Sequence, residues 1–148
     1  MAKSIEDYIN ELREFNNRST NTVSPYRGRL IFNVTHSRGT YPVKNALITV
    51  FENNTILKAL TTDESGKTPP ITLEAFDKKF SESPTSEQSY VTKYYDAEIS
   101  ADEFVTVRIE NIPIYENITT LQQYDMLYKS AANGQDKQIV TLPKKQTN

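Results

Sequence analysis

From Gly28 onward the chain alternates apolar and polar residues with a period of two, and this pattern constrains the fold more than any other feature. In GRLIFNVTH, Leu30, Phe32, Val34 and His36 fall on one face and Ile31, Asn33 and Thr35 on the other. Successive side chains of a strand leave opposite faces, so this is the pattern of a half-buried strand. SRGTYPVKN, with Gly39 and Pro42, reads as a turn. Ala46 to Phe51 is a second strand, and the polar tip Glu52, Asn53, Asn54 leads into a third, TILKALTT, as a hairpin. DESGKTPP ends the pairing, because Gly66 can take positive φ and Pro69 and Pro70 cannot donate ladder bonds. Ile71 to Leu73 is a short fourth strand.

Beyond a polar stretch at 77–89, expected to be a long exposed loop, Tyr90 to Ser100 resumes the alternation with Tyr95, Ala97 and Ile99 on one face. Phe104 to Ile109 continues it, with Val105, Val107 and Ile109 as the expected core face opposite Phe104, Thr106 and Arg108. IPIY and then TTLQQYDMLY supply the last strands. Seven or so short strands between turn signals predict an all-β, seven-stranded antiparallel Greek-key β-sandwich. The expected divisions are an N-terminal helix and linker at 1–27, the sandwich at 28–129 and a polar tail at 130–148. Most of the tail is expected to be weakly ordered, although IVTLP could add an edge strand.

One short helix precedes the strands. Ile5, Tyr8, Ile9, Leu12 and Phe15 recur at three- and four-residue steps and form one apolar stripe over residues 4–16. Ser4 can cap its start, with Asp7 three residues on. The stripe either packs on the flank of the domain or docks a partner or a second copy, since a helix this short is marginal alone.

Composition narrows the chemistry. With no cysteine and His36 as the only histidine, thiol catalysis, disulfides, iron–sulfur clusters and multi-histidine metal sites are excluded. Seventeen basic and nineteen acidic residues are interspersed, without the basic stripe that a phosphate backbone selects, so no nucleic-acid partner is expected. Neither a secretory signal nor a membrane span is expected: Glu6, Asp7, Glu11 and Glu14 interrupt the N-terminus, and no later apolar run reaches the ~20 residues a span needs. That leaves a cytoplasmic location or delivery to a spore, envelope or particle by another route. No cofactor is expected.

GRLIFNV, YPVKNALITVF, LTTDESGKTPPITL and YYDAEISADEFVTVRIENIPIY together make residues 28–127 resemble the transthyretin-like, carboxypeptidase regulatory-like β-sandwich domains of bacteria. The likeness is particularly to those attached to clostridial spore cortex-lytic and peptidoglycan-associated proteins. Glu103 and Phe104 stand where that family usually has Gly and Tyr at a corner. The resemblance implies a transthyretin-like sandwich more firmly than any function.

Several residues are candidates for chemistry. Tyr26, Arg27 and Gly28 resemble the terminal motif of hydroxyisourate hydrolases, but they stand near the N-terminus in a chain with one histidine, so that activity is not expected. His36 is read as a partly buried structural residue in preference to a catalytic base. Asp63 is expected to accept backbone N–H bonds within its own turn, the alternative being a calcium site with Glu64 and Ser65. Asp96 and Glu98 share a strand face at a spacing near that of glycosidase carboxylates. Lys58 and Asn33 are conceivable isopeptide partners. Nine tyrosines and no tryptophan raise the possibility of sugar stacking, with Tyr94, Tyr115, Tyr124 and Tyr128 the candidates, against a plain role in cross-strand packing. The leading expectation is a non-catalytic structural or protein-interaction module of a bacterial envelope, spore or similar assembly. The alternatives are a glycan- or peptidoglycan-binding accessory domain and a component of a phage-like particle.

Overall fold

The computed structural model describes residues 26–76 and 92–144. Nine strands run through them: β1 (Arg27–His36), β2 (Tyr41–Pro42), β3 (Leu47–Glu52), β4 (Thr55–Thr61), β5 (Ile71–Glu74), β6 (Lys93–Ser100), β7 (Thr106–Ile114), β8 (Thr119–Met126) and β9 (Lys137–Thr141). Among the described residues there is no α-helix, only a 3-10 turn at Lys129–Ala131. One sheet holds β2, β1, β5 and β8, and the other runs β4-β3-β6-β7-β9. Leu30, Phe32 and Val34 of the first sheet share a single core with Ile48, Val50, Tyr95, Ile99 and Ile109 of the second. The described residues therefore form an all-β, two-sheet sandwich.

The expectation of seven antiparallel strands needs correcting. The described residues hold nine, and both sheets are mixed: β8 runs parallel to β1 from Arg29–Thr119 to His36–Met126, and β9 runs parallel to β7. Alternation tells which face a residue takes but says nothing about the direction of the neighbouring strand. The opposite edge of β1 is shared end to end. β5 pairs with Arg27 to Leu30, the amide and hydroxyl oxygen of Thr68 bond the backbone of Phe32, the Val34 amide donates to Gly66, and β2 closes on Thr35 and His36. Gly66 is required there twice over, since its φ is +80° and a Cβ would stand 2.4 Å from the Val34 carbonyl oxygen.

IPIY is not a separate strand. β7 continues through it by a bulge, in which Glu110 and Asn111 together oppose Asp96, and Asn111 takes φ of 68°. The extra residue resets the phase, so the inward residues pass from Val105, Val107 and Ile109 to Ile112 and Ile114. The tip of the β3–β4 hairpin is Asn53–Asn54, both at positive φ, as a two-residue type I′ turn demands. The stretch from Ser130, expected to be mostly weakly ordered, instead joins the sandwich: β9 pairs with β7 as the edge strand that IVTLP could add, and brings Val140 and Leu142 onto the core. The helix stripe of Ile5, Tyr8, Ile9, Leu12 and Phe15 and the loop at 77–89 lie outside the described residues.

Candidate functional site

The carboxylate pair Asp96 and Glu98 does project from one face, the outer face of the second sheet, but both acids turn to a single arginine. Arg108, with 15% of its side chain exposed, lies 3.1 Å from Asp96, 3.4 Å from Glu98 and 3.5 Å from Glu110, with its guanidinium 4.9 Å from the Phe51 ring centre. Asp96 also accepts the Asn111 amide at the bulge, and Lys137 of β9 reaches Glu98. Acids held this way brace the sheet and its bulge against β9; no cleft separates them as glycoside hydrolysis requires. Lys58 sits on the edge strand β4 and Asn33 on β1 of the other sheet, so the fold does not bring this pair together.

Asp63 makes the turn expected of it. One carboxylate oxygen accepts the Ser65 amide, the Ser65 hydroxyl and the Lys67 amide. The Ser65 hydroxyl foremost, with the Lys67 amide, holds its pKa below the ordinary carboxylate value. Asp125, which sequence reasoning did not single out, does the same for the turn after β1, where Ser37, Arg38 and Gly39 all have positive φ. Its oxygens accept the amides of Arg38 and Gly39 and the Thr35 hydroxyl. Partial burial pushes its pKa up, but those bonds together outweigh it and leave the carboxyl below its ordinary value. Among the described residues no three metal-ligating side chains converge.

The four candidate tyrosines do not form one surface. Tyr124 points inward and its hydroxyl donates to Gln138 of β9, tying the two sheets together, and burial raises its pKa. Tyr94 and Tyr115 lie near each other at the end of the second sheet where β6 begins, with the Lys144 ammonium 5.2 Å from the Tyr94 ring centre. Tyr128 is at the opposite end of β7, roughly 30 Å away by the rise of a nine-residue strand.

At that opposite end the sequence reading missed a cluster. Tyr128 stacks on Phe104 with ring centres 4.4 Å apart, and His36 contacts Phe104, Tyr128 and Tyr41 at 5.2 to 5.4 Å. His36 is half-buried, as expected, and bonds the Ser37 hydroxyl. Phe104, assigned to the outward face of its strand, is only 8% exposed. The reason is the corner before β7. Glu103 adopts φ of 73°, the conformation for which a glycine would be used, and the Lys129 amide donates to its carbonyl while the Val105 amide donates to Leu127. The corner thus turns Phe104 against Tyr128. The one available signal was the Glu-Phe pair standing where the resembled family has Gly-Tyr.

Beside the cluster runs an open groove of about 630 Å³ between the 43–47 turn and the 100–104 corner. Phe104 lines it, and its charged residues are Lys44, Lys129, Asp102 and Glu103. Its walls are rigidly tied. The buried Thr62 hydroxyl donates to the Val43 carbonyl at 2.6 Å and accepts the Ala46 amide at 2.9 Å, and Lys44 pairs with Glu64.

Fold and site together define a two-sheet β-sandwich with an aromatic end. No family model and no curated protein matches the chain. Solved structures similar to it include the Bacillus anthracis TIE protein (13% identity, TM-score 0.48, 70% of this chain and 17% of that one) and Klebsiella pneumoniae 5-hydroxyisourate hydrolase (9%, 0.43, 66% and 89%). A third is the minor pilin of Streptococcus agalactiae (13%, 0.42, 83% and 49%). The chain thus spans less than two thirds of the first and third of these proteins.

Proposed function

We propose that this β-sandwich is a non-catalytic module that binds other proteins, in the transthyretin-like, Greek-key arrangement and the bacterial envelope, spore or similar setting that its sequence resemblance implies. The observation that carries the reading is the state of the sheet edges. β4, β8 and β9 each have one edge unpaired among the described residues, and each exposes a large aliphatic side chain: Ile56 at 63%, Leu121 at 51% and Ile139 at 60%. Unpaired backbone groups beside an exposed apolar residue are what an added strand recognises, the backbone supplying affinity and the side chain specificity. The acids Asp63, Asp96, Glu98 and Asp125 are at the same time occupied by internal hydrogen bonds and ion pairs.

The test is affinity purification from the native cells with Ile56→Lys, Leu121→Lys and Ile139→Lys variants beside the parent, with bound proteins identified by mass spectrometry. The reading expects a specific partner lost with one edge variant that keeps its β-sheet circular dichroism. A partner retained by all three, or none bound by the parent, would overturn it.

A further inference from the structure

The structure assigns a second surface to a different ligand class: we propose that the aromatic end of the sandwich binds a neutral oligosaccharide, with Tyr41 and Tyr128 as the stacking platform and the adjoining groove seating the neighbouring sugar units. Tyr41 and Tyr128 are 57% and 38% exposed, whereas Phe104 beneath Tyr128 is nearly covered. The exposed rings are therefore backed by other rings and held in place.

The geometry separates this ligand from others that aromatic residues attract. A quaternary ammonium ligand is held in a cage of rings arranged around an empty centre. Here His36 touches Tyr41, Phe104 and Tyr128, and Phe104 touches Tyr128, with centres 4.4 to 5.4 Å apart, so the rings fill the centre of any such cage and Tyr41 and Tyr128 are joined through His36. A pyranose offers these rings a face of C–H groups and surrounds it with hydroxyls, which need donors and acceptors nearby. The groove supplies both, through the ammonium groups of Lys44 and Lys129 and the carboxylates of Asp102 and Glu103. Lys44 and Lys129 stand against Asp102 and Glu103, with Glu64 paired to Lys44, so the groove has no excess of positive charge, which favours a neutral chain over an acidic one. Its size suits more than one sugar ring, within the range of ordinary ligand sites.

The site needs no rearrangement to form. The Glu103 carbonyl and the Leu127 carbonyl accept amides across the corner that carries Phe104 and Tyr128, and Thr62 closes the facing turn, so the two walls of the groove are preorganised. This surface lies apart from the edge residues Ile56, Leu121 and Ile139, and the two readings can fail separately: lysine variants at those edges leave the sugar titration intact.

The experiment is an amide NMR titration of the full chain with two neutral probes, chitotetraose and cellotetraose, to roughly 10 mM, where a millimolar affinity registers. Saturable shifts are expected for at least one probe, confined to residues 36–45, 100–106 and 126–130. Tyr41→Ala and Tyr128→Ala should each weaken binding about tenfold, Tyr128→Phe should retain it, and Tyr94→Ala at the far end should leave it unchanged. Tyr41 lies on the surface, so its variant carries the test even if Tyr128→Ala fails to fold. Absence of shifts with both probes, shifts centred elsewhere, or binding indifferent to Tyr41→Ala would overturn the assignment.

Discussion

Tyr95→Phe should make the protein less stable at neutral pH and relatively more stable in alkali. Tyr95 is 2% exposed on β6, and its hydroxyl donates at 2.9 Å to the Glu74 carbonyl of β5, so this bond helps to link the two sheets from within the core. Removing only the oxygen keeps the ring packing and leaves a carbonyl without that donor, a loss of about 1–2 kcal/mol. Burial foremost, with the charges of Glu52 and Glu74, pushes the phenol well above its ordinary pKa of 10.0. The folded protein therefore holds this proton at a pH where the unfolded chain has released it. Stability tied to the proton is complete below about pH 10 and is lost as pH rises toward the folded value, at up to about 1.4 kcal/mol per pH unit. The phenylalanine variant lacks that slope, while Tyr115 and Tyr124 titrate alike in both proteins. The two stability curves should thus meet near about pH 11. Urea unfolding at pH 7, 9, 10, 10.5 and 11, followed by far-ultraviolet circular dichroism, measures the difference. Parallel curves above pH 10 would refute the buried, sheet-bridging role of this hydroxyl.

Thr62→Val should cost about 2–4 kcal/mol in urea unfolding, because it orphans the Val43 carbonyl and the Ala46 amide at a buried turn. Gly66→Ala should cost more than about 2 kcal/mol by thermal or urea unfolding, combining a positive φ with a Cβ pressed on the Val34 carbonyl. Glu103→Gly should raise stability by about 0.5–1 kcal/mol, seen as a higher melting temperature, by relieving the positive φ at the corner. In acid the sign reverses from that of Tyr95: the Asp125 carboxyl titrates lower in the folded chain than its ordinary value of 3.8, so its contribution is present above that pH and fades below it. Unfolding of Asp125→Asn between pH 2.5 and 5 should accordingly show a shallower pH dependence than the parent.

Much of the sandwich is legible in the chain because strand alternation is local. Leu30, Phe32, Val34, Tyr95, Ala97, Ile99, Val107 and Ile109 are all buried on the faces the period of two assigns them. The turn chemistry is local too: Asp63 with Gly66, and the Asn53–Asn54 tip, act through backbone groups a few residues away. The bulge at Asn111 shows where this reading ends. A single residue inserted opposite Asp96 shifts the phase of RIENIPI, and a shift of phase looks the same in a sequence as a break between two strands.

The aromatic end was beyond reach for a stronger reason. His36 and Tyr41 stand at the close of β1 and at β2, Phe104 at a corner some sixty residues further on, and Tyr128 past the end of β8. Composition could register an excess of tyrosine but could not sort Tyr124, spent on joining the sheets, from Tyr128, half in solvent. Periodicity assigns each side chain a face of its own strand. Which strands lie beside one another, that β8 meets β1 in parallel, and that four rings from distant segments come into contact are set by the packing of two sheets over one core, which only the folded chain decides.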